Sequence, residues 1–178
     1  MEKKIQTIAT LRTRSFHVDL DDVLLRDGSS ARRIRIDHPE AAAVVPLLSD
    51  GEVLLVRQYR YAPGMETLEI PAGKLDPSEK PEECAGRELM EETGYQAGSL
   101  TLLYTYAPAI GYSNELIHIY AGRELKKLRN EIDEREISSV EPYSVEEIHA
   151  MIREGRIVDG KTLIALGMLG LLPYGAKE

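Results

Sequence analysis

The two most β-prone runs of the chain, AAAVVPLL at residues 41–48 and EVLLVRQY at residues 52–59, stand on either side of Asp50-Gly51. Asp-Gly between such arms is a strong short-range hairpin signal, so the pair predicts a hairpin of central strands. A chain of 178 residues can bury one good core around them and carry a modest appendage. The appendage precedes His38-Pro39, where SFHVDLDDVLLRD and ARRIRID alternate in character around the turn signal Asp27-Gly28. This predicts a small antiparallel β meander over residues 1–40 and a main domain over residues 41–178.

Further strands are expected in METLEIPAG, which ends at Pro71 and Gly73, and in LTLLYTYA, ELIHIYAG and REISSVEPY. Ser144 and Glu147 form a capping-box pattern that opens a helix through about Arg153, and KTLIALGMLGLL reads as a final apolar helix. The mixture places the chain in the α+β class.

Bulk composition narrows the function. With 43% hydrophobic and 29% charged residues, the chain is an ordinary globular one. Its 30 acids against 22 bases, net charge −8, argue against nonspecific nucleic-acid binding, which needs a basic footprint. No run approaches the ~20 apolar residues of a membrane span, and MEKKIQTIATLRTR lacks the apolar core of a secretory signal. The expectation is a cytoplasmic protein with no membrane partner. The single cysteine, Cys84, fits a reducing compartment and reads as a small helix residue, not a nucleophile.

The acids concentrate in GKLDPSEKPEECAGRELMEETGY, residues 73–95. Pro81 suits a first helical turn, Glu82 and Glu83 favour its positive end, and Gly94 suits the position past its C-terminus. On the predicted helix, Glu88, Glu91 and Glu92 lie on or near one face, while Ala85 and Leu89 point to a core. Like charges so placed cost a few tenths of a kcal/mol per pair in an exposed helix. Two readings account for that cost: a solvated acidic face screened by Arg87, or a site for a hard divalent cation that takes oxygen ligands.

The segment resembles the Nudix hydrolase signature, G-x5-E-x7-R-E-U-x-E-E-x-G-U with U apolar. The matching positions are Gly73, Glu79, Arg87, Glu88, Leu89, Glu91, Glu92 and Gly94, with Tyr95 where the pattern prefers an aliphatic residue. EVLLVRQYR, TLEIPAGKLD and YSNE extend the likeness to the ADP-ribose pyrophosphatase branch over about residues 40–165. The resemblance implies a Nudix α/β/α sandwich with a mixed sheet, the N-terminal meander serving a homodimer. It implies hydrolysis of the pyrophosphate of a nucleoside-diphosphate-sugar, ADP-ribose to AMP and ribose 5-phosphate being the first expectation and GDP-mannose the nearest competitor. A Nudix domain that senses a ligand without cutting it is the reading from another class.

Residue by residue, the resemblance places Mg²⁺, or Mn²⁺, on Glu88, Glu92 and the Ala72 carbonyl. Glu91 is a further ligand or a water-orienting base, and Arg87 with Glu79 braces the loop–helix junction. Arg60 matches the branch's substrate-contacting arginine, and Arg57 is the second candidate, although a strand's period of two puts residues 57 and 59 together and 60 opposite. Glu69 either reaches the metal cluster or holds an arginine. The general base is expected in IDEREISSV, at Glu134 or else Glu136. Phe16 or Tyr61 is a candidate to stack on the nucleobase. One departure touches the substrate: Ile110, in YAPAIGYSNE, stands where the branch usually has proline.

Overall fold

The structure is a computed structural model that describes residues 1–129, 132 and 135–173. Two compact units emerge, one of Met1–Glu40 with Tyr106–Leu116, the other of Ala41–Thr105 with Ile117–Glu178.

In the first unit β1 (Lys3–Arg12), β2 (His17–Leu24) and β3 (Ser30–Asp37) form an antiparallel meander. Its second turn is the expected one: Gly28 has a positive φ of 85° and the Asp27 carboxylate accepts from the Ser29 amide and hydroxyl. The segment 106–116 closes on β3 through Ile36, whose amide donates to the Tyr112 carbonyl at 2.6 Å. The alternation of β2 runs opposite to a simple apolar-in pattern. Its buried residues are Asp19, Asp21 and Val23, the two aspartates being held by the Thr10 and Thr7 hydroxyls at 2.7 Å each.

The second unit is built on β4 (Ala41–Pro46), all six residues of which are buried. It lies in a mixed sheet of order β7-β4-β10-β9, comprising β7 (Ala72–Lys74), β9 (Ser99–Tyr106) and β10 (Ile117–Arg123); β4 and β10 run parallel. Ala42 and Val44 on one face pack against Cys84, Ala85 and Leu89 of helix α1 (Pro81–Thr93). Helix α3 (Gly160–Met168) also packs against β4 and β10, which gives the helix–sheet–helix layering expected of the fold. Helix α2 (Val145–Arg153) opens on the expected capping box of Ser144 and Glu147. A second sheet has order β12-β5-β6, from β5 (Val53–Arg60), β6 (Met65–Glu69) and β12 (Ile137–Tyr143), and the short β8 (Tyr95–Gln96) and β11 (Lys126–Lys127) pair separately.

The hairpin expected of β4 and β5 is corrected by this topology. Its turn forms, with Leu48 and Glu52 hydrogen bonded and Gly51 at φ 92°, but only Leu47 and Val53 bridge. Both edges of β4 are already taken by β7 and β10, so β5 crosses into the other sheet and pairs with β6 and β12. The crossing sets the ends of two sheets beside α1. The final helix is also shorter than expected: α3 stops at Met168, and Gly170 adopts a positive φ of 70°.

Candidate active site

Helix α1 begins and ends where its local chemistry dictates. Pro81 occupies the first turn, the Glu83 carboxylate accepts from the Lys80 amide, and Gly94 caps the far end at φ 76°. A Cβ at Gly94 would stand 2.2 Å from the Arg129 carbonyl oxygen, so that position accepts no other residue without a shift of backbone.

The buried face of α1 fixes the presentation of its acids. Glu88 projects over Gly73 so closely that a Cβ there would lie 1.9 Å from its carboxylate oxygen. Glu92 is 7% exposed and accepts from the Ala72 amide at 3.2 Å. Burial, reinforced by the negative charge of Glu88, pushes the Glu92 carboxyl up to about 8, with Lys161 and Arg60 partly offsetting the rise. Burial likewise raises Glu88. Glu91 is exposed.

Arg87 organises the rim. Its guanidinium forks onto Glu79 at 2.8 and 2.9 Å, reaches Glu88 at 2.7 Å and Glu91 at 3.1 Å, and donates to the Lys74 carbonyl. The hydrogen bonds from Arg87 hold the Glu79 carboxyl down at about 2. Burial drives the Cys84 thiol up to about 12, which leaves it inert. Among the described residues, no three acids, histidines or cysteines already converge as a formed metal site. The donors nevertheless fit a hard divalent cation: two carboxylates whose charge burial disfavours, and a third on the same helix face, all oxygen. Arg87 must yield its hold on Glu88 or Glu91 for a cation to be shared there.

A second cluster adjoins the first. Arg60 forks onto Glu69 at 2.7 and 2.6 Å, so of the two roles open to Glu69 it takes that of holding an arginine. Glu69 is 2% exposed and also accepts from the Thr67 hydroxyl and the Lys161 ammonium. Burial pushes its carboxyl up, but Arg60 and Lys161 outweigh this and hold it at about 2. Asp159, the N-cap of α3, accepts from Lys161 at 3.0 Å and from the Thr162 amide and hydroxyl; that hydroxyl accepts from the Ile70 amide, two residues before Ala72. Arg60, Tyr61, Thr67, Glu69, Asp159 and Lys161 line a cleft of about 440 Å³.

Not every expected residue joins. Arg57 lies on the opposite face of β5 from Arg60, where its charge acts on Glu141 and Tyr143; the strand's period of two is unbroken there. Glu136 is exposed just before β12, and Glu134 lies outside the described residues. Tyr61, 92% exposed, lines the cleft, whereas Phe16 rests against the His38 ring in the first unit. Lys161 and Asp159 escaped the sequence reading. Asp-Gly-Lys-Thr ahead of an apolar helix signals a cap at Asp159, but nothing local says that the lysine turns inward.

Residues 37–165 match the profile of the NUDIX domain. The chain belongs to the Nudix family. Several relatives match most of its length. It is 37% identical to the methanol dehydrogenase activator of Bacillus methanolicus, over 96% of this chain and 93% of that one. It is 35% identical to the ADP-ribose pyrophosphatase of Bacillus subtilis (85% and 83%), and 36% to the GDP-mannose pyrophosphatase of Yersinia enterocolitica (82% of each). The crystal structure of an ADP compounds hydrolase superposes with a TM-score of 0.80 at 25% identity, covering 94% of this chain and 93% of that one. The Nudix fold is therefore secure from two directions, and α1 with its Gly73–Glu79 approach is the segment that carries the family's signature. No helix among the described residues is long and apolar enough to cross a membrane.

Proposed function

We propose that this Nudix protein hydrolyses the pyrophosphate bond of a nucleoside-diphosphate-sugar, with ADP-ribose, cut to AMP and ribose 5-phosphate, as its first substrate. The observation that carries the reading is the buried carboxylate of Glu92 with the half-buried Glu88 on the same helix face, beside an arginine-mouthed cleft. Glu92, a buried acid whose hydrogen-bond donor is a backbone amide, accepts a divalent ion readily, and Glu88 can share that ion once Arg87 releases it; a diphosphate needs such an ion. The likeness to pyrophosphatases of ADP-ribose and GDP-mannose supports the same class of substrate.

Glu88, Glu92 and the Ala72 carbonyl would hold Mg²⁺, or Mn²⁺, with Glu91 as a further ligand or water-orienting group. Such an ion, when bound, supplies charge neutralisation of the diphosphate and acidifies water. Arg60 binds and orients the pyrophosphate from the cleft mouth. An acid of the segment before β12, Glu134 or Glu136, takes the proton of the attacking water. Arg87 with Glu79 fixes the loop against the helix, so that Glu88 stays over Gly73. The meander of residues 1–40 serves assembly of a homodimer, and the single cysteine suits a cytoplasmic location.

The test is AMP release from ADP-ribose in Mg²⁺ by wild type and Glu92→Gln, with GDP-mannose alongside. Rapid cleavage of ADP-ribose, reduced at least ~10²-fold in the mutant while its melting temperature is kept or raised, is expected. GDP-mannose cut in place of ADP-ribose would overturn the substrate, and cleavage of neither would overturn the hydrolase. A second reading, in which the protein acts on a partner dehydrogenase, is favoured by the 37% identity with the Bacillus methanolicus activator. Stimulation of such an enzyme that survives Glu92→Gln would separate it from hydrolysis.

A further inference from the structure

We propose that Lys161 is a positioning residue of this site: by keeping hold of Glu69, it frees the Arg60 guanidinium to turn from Glu69 to the substrate's pyrophosphate. The inference rests on the hydrolase reading above for the ligand, and on the geometry of four side chains for everything else.

In the structure Arg60 is committed. Its Nε and Nη2 both donate to Glu69, a carboxylate buried beneath the cleft, although the arginine side chain itself is 43% exposed at the mouth. A guanidinium in this position meets a diphosphate only by releasing the carboxylate. Leaving a buried carboxylate without a cation is strongly unfavourable, so an isolated Arg60–Glu69 pair would resist the exchange.

Lys161 removes that obstacle. Its ammonium bonds Glu69 Oε2, the oxygen that Arg60 Nη2 also uses, while the Thr67 hydroxyl bonds Oε1, the oxygen that Arg60 Nε uses. Each carboxylate oxygen therefore keeps one donor when the arginine departs. Lys161 cannot follow it. The lysine is 8% exposed and is tied back to Asp159 Oδ2 at 3.0 Å, and Asp159 is itself fixed as the cap of α3 by the Thr162 amide and hydroxyl. The quartet of Arg60, Lys161, Glu69 and Asp159 thus contains one cation held in place and one at the cleft mouth that can change partner.

The experiment is a double-mutant cycle of Lys161→Met and Arg60→Ala, with Lys161→Arg as the conservative variant. kcat/KM for ADP-ribose and GDP-mannose and the affinity for ADP are measured on every protein. Lys161→Met is expected to lower kcat/KM and weaken ADP about tenfold when Arg60 is present, and less than twofold in the Arg60→Ala background. Lys161→Arg, which keeps a cation on Glu69, should recover most of the loss. Equal losses in both backgrounds would overturn the inference, because the lysine would then act on substrate or fold without Arg60. If Lys161→Met does not fold, Asp159→Asn, which loosens the lysine and leaves its charge, takes its place in the cycle with the same two expectations. The two readings fail separately. Coupling in ADP affinity from a wild type that cleaves neither nucleotide sugar keeps the positioning role and sinks the hydrolase, whereas turnover with additive losses does the reverse.

Discussion

Glu69 and Glu92 are chemically identical side chains driven to opposite ends of the carboxyl range within one site. Both are almost fully buried, so the difference lies in their company. Glu69 has two cations and a hydroxyl, while Glu92 has one backbone amide and the negative Glu88. The sign of the pH effect follows from Glu69. Its folded value, about 2, lies below its ordinary 4.5, so the folded state binds the proton less readily than the unfolded chain does. Its contribution to stability is complete above pH 4.5 and is lost as pH falls towards 2. Chemical unfolding of wild type and Glu69→Gln should therefore show a wide stability gap near pH 6 that narrows steadily below pH 4.5; a gap that is constant with pH would mean that the ion pairs do not stabilise the fold. In the sequence only part of this was legible. Period-two reasoning separated Arg60 from Arg57, because strand geometry is local. The inward turn of Lys161 was not legible, because its cause is Glu69, 92 residues away.

Elements defined by local signals are legible in the sequence, and elements defined by distant partners are not. α1 begins at Pro81 and ends at Thr93, as Pro81 and Gly94 predicted, since caps act within one turn. The hairpin of residues 41–59 does not form because a strand has only two edges to pair, and β7 and β10 occupy both edges of β4. That arrangement gives Gly73 its meaning. It sits in β7 opposite Ala42, and the space above it is filled by the Glu88 carboxylate. In Gly73→Ala the new methyl meets the far end of a flexible side chain, not backbone, so the fold should yield cheaply while Glu88 is driven from its position. The expected outcome is a melting temperature within a few degrees of wild type and a fall in kcat of about 10²-fold, the cost typical of a misplaced functional group. A large loss of stability with unchanged kcat would show that Gly73 serves packing and not the placement of Glu88.

At the scale of the whole molecule, the meander presents its sheet the wrong way round for a solitary unit. Asp19 and Asp21 are buried with Val23 on one face, whereas Leu11, Val18 and Ile36 align across the three strands on the other, with Leu20 opposite Ile34 in its next row. Leu11 and Ile34 are exposed, and β1 is open to solvent along all ten residues. A three-stranded sheet with aliphatic side chains outward and an unpaired long edge is an association surface unless something covers it. A second copy of the chain is the occupant consistent with the proposed homodimer, since the same face on each partner is self-complementary under two-fold symmetry. Sedimentation at micromolar concentration should give a dimer for wild type and a monomer for Leu11→Lys combined with Ile34→Lys. Because neither residue is buried, the doubly substituted unit should keep its own fold, so its far-ultraviolet circular dichroism should be unchanged. A double mutant that remains dimeric with that spectrum intact would place the interface elsewhere and leave the outward aliphatic face without a role in assembly.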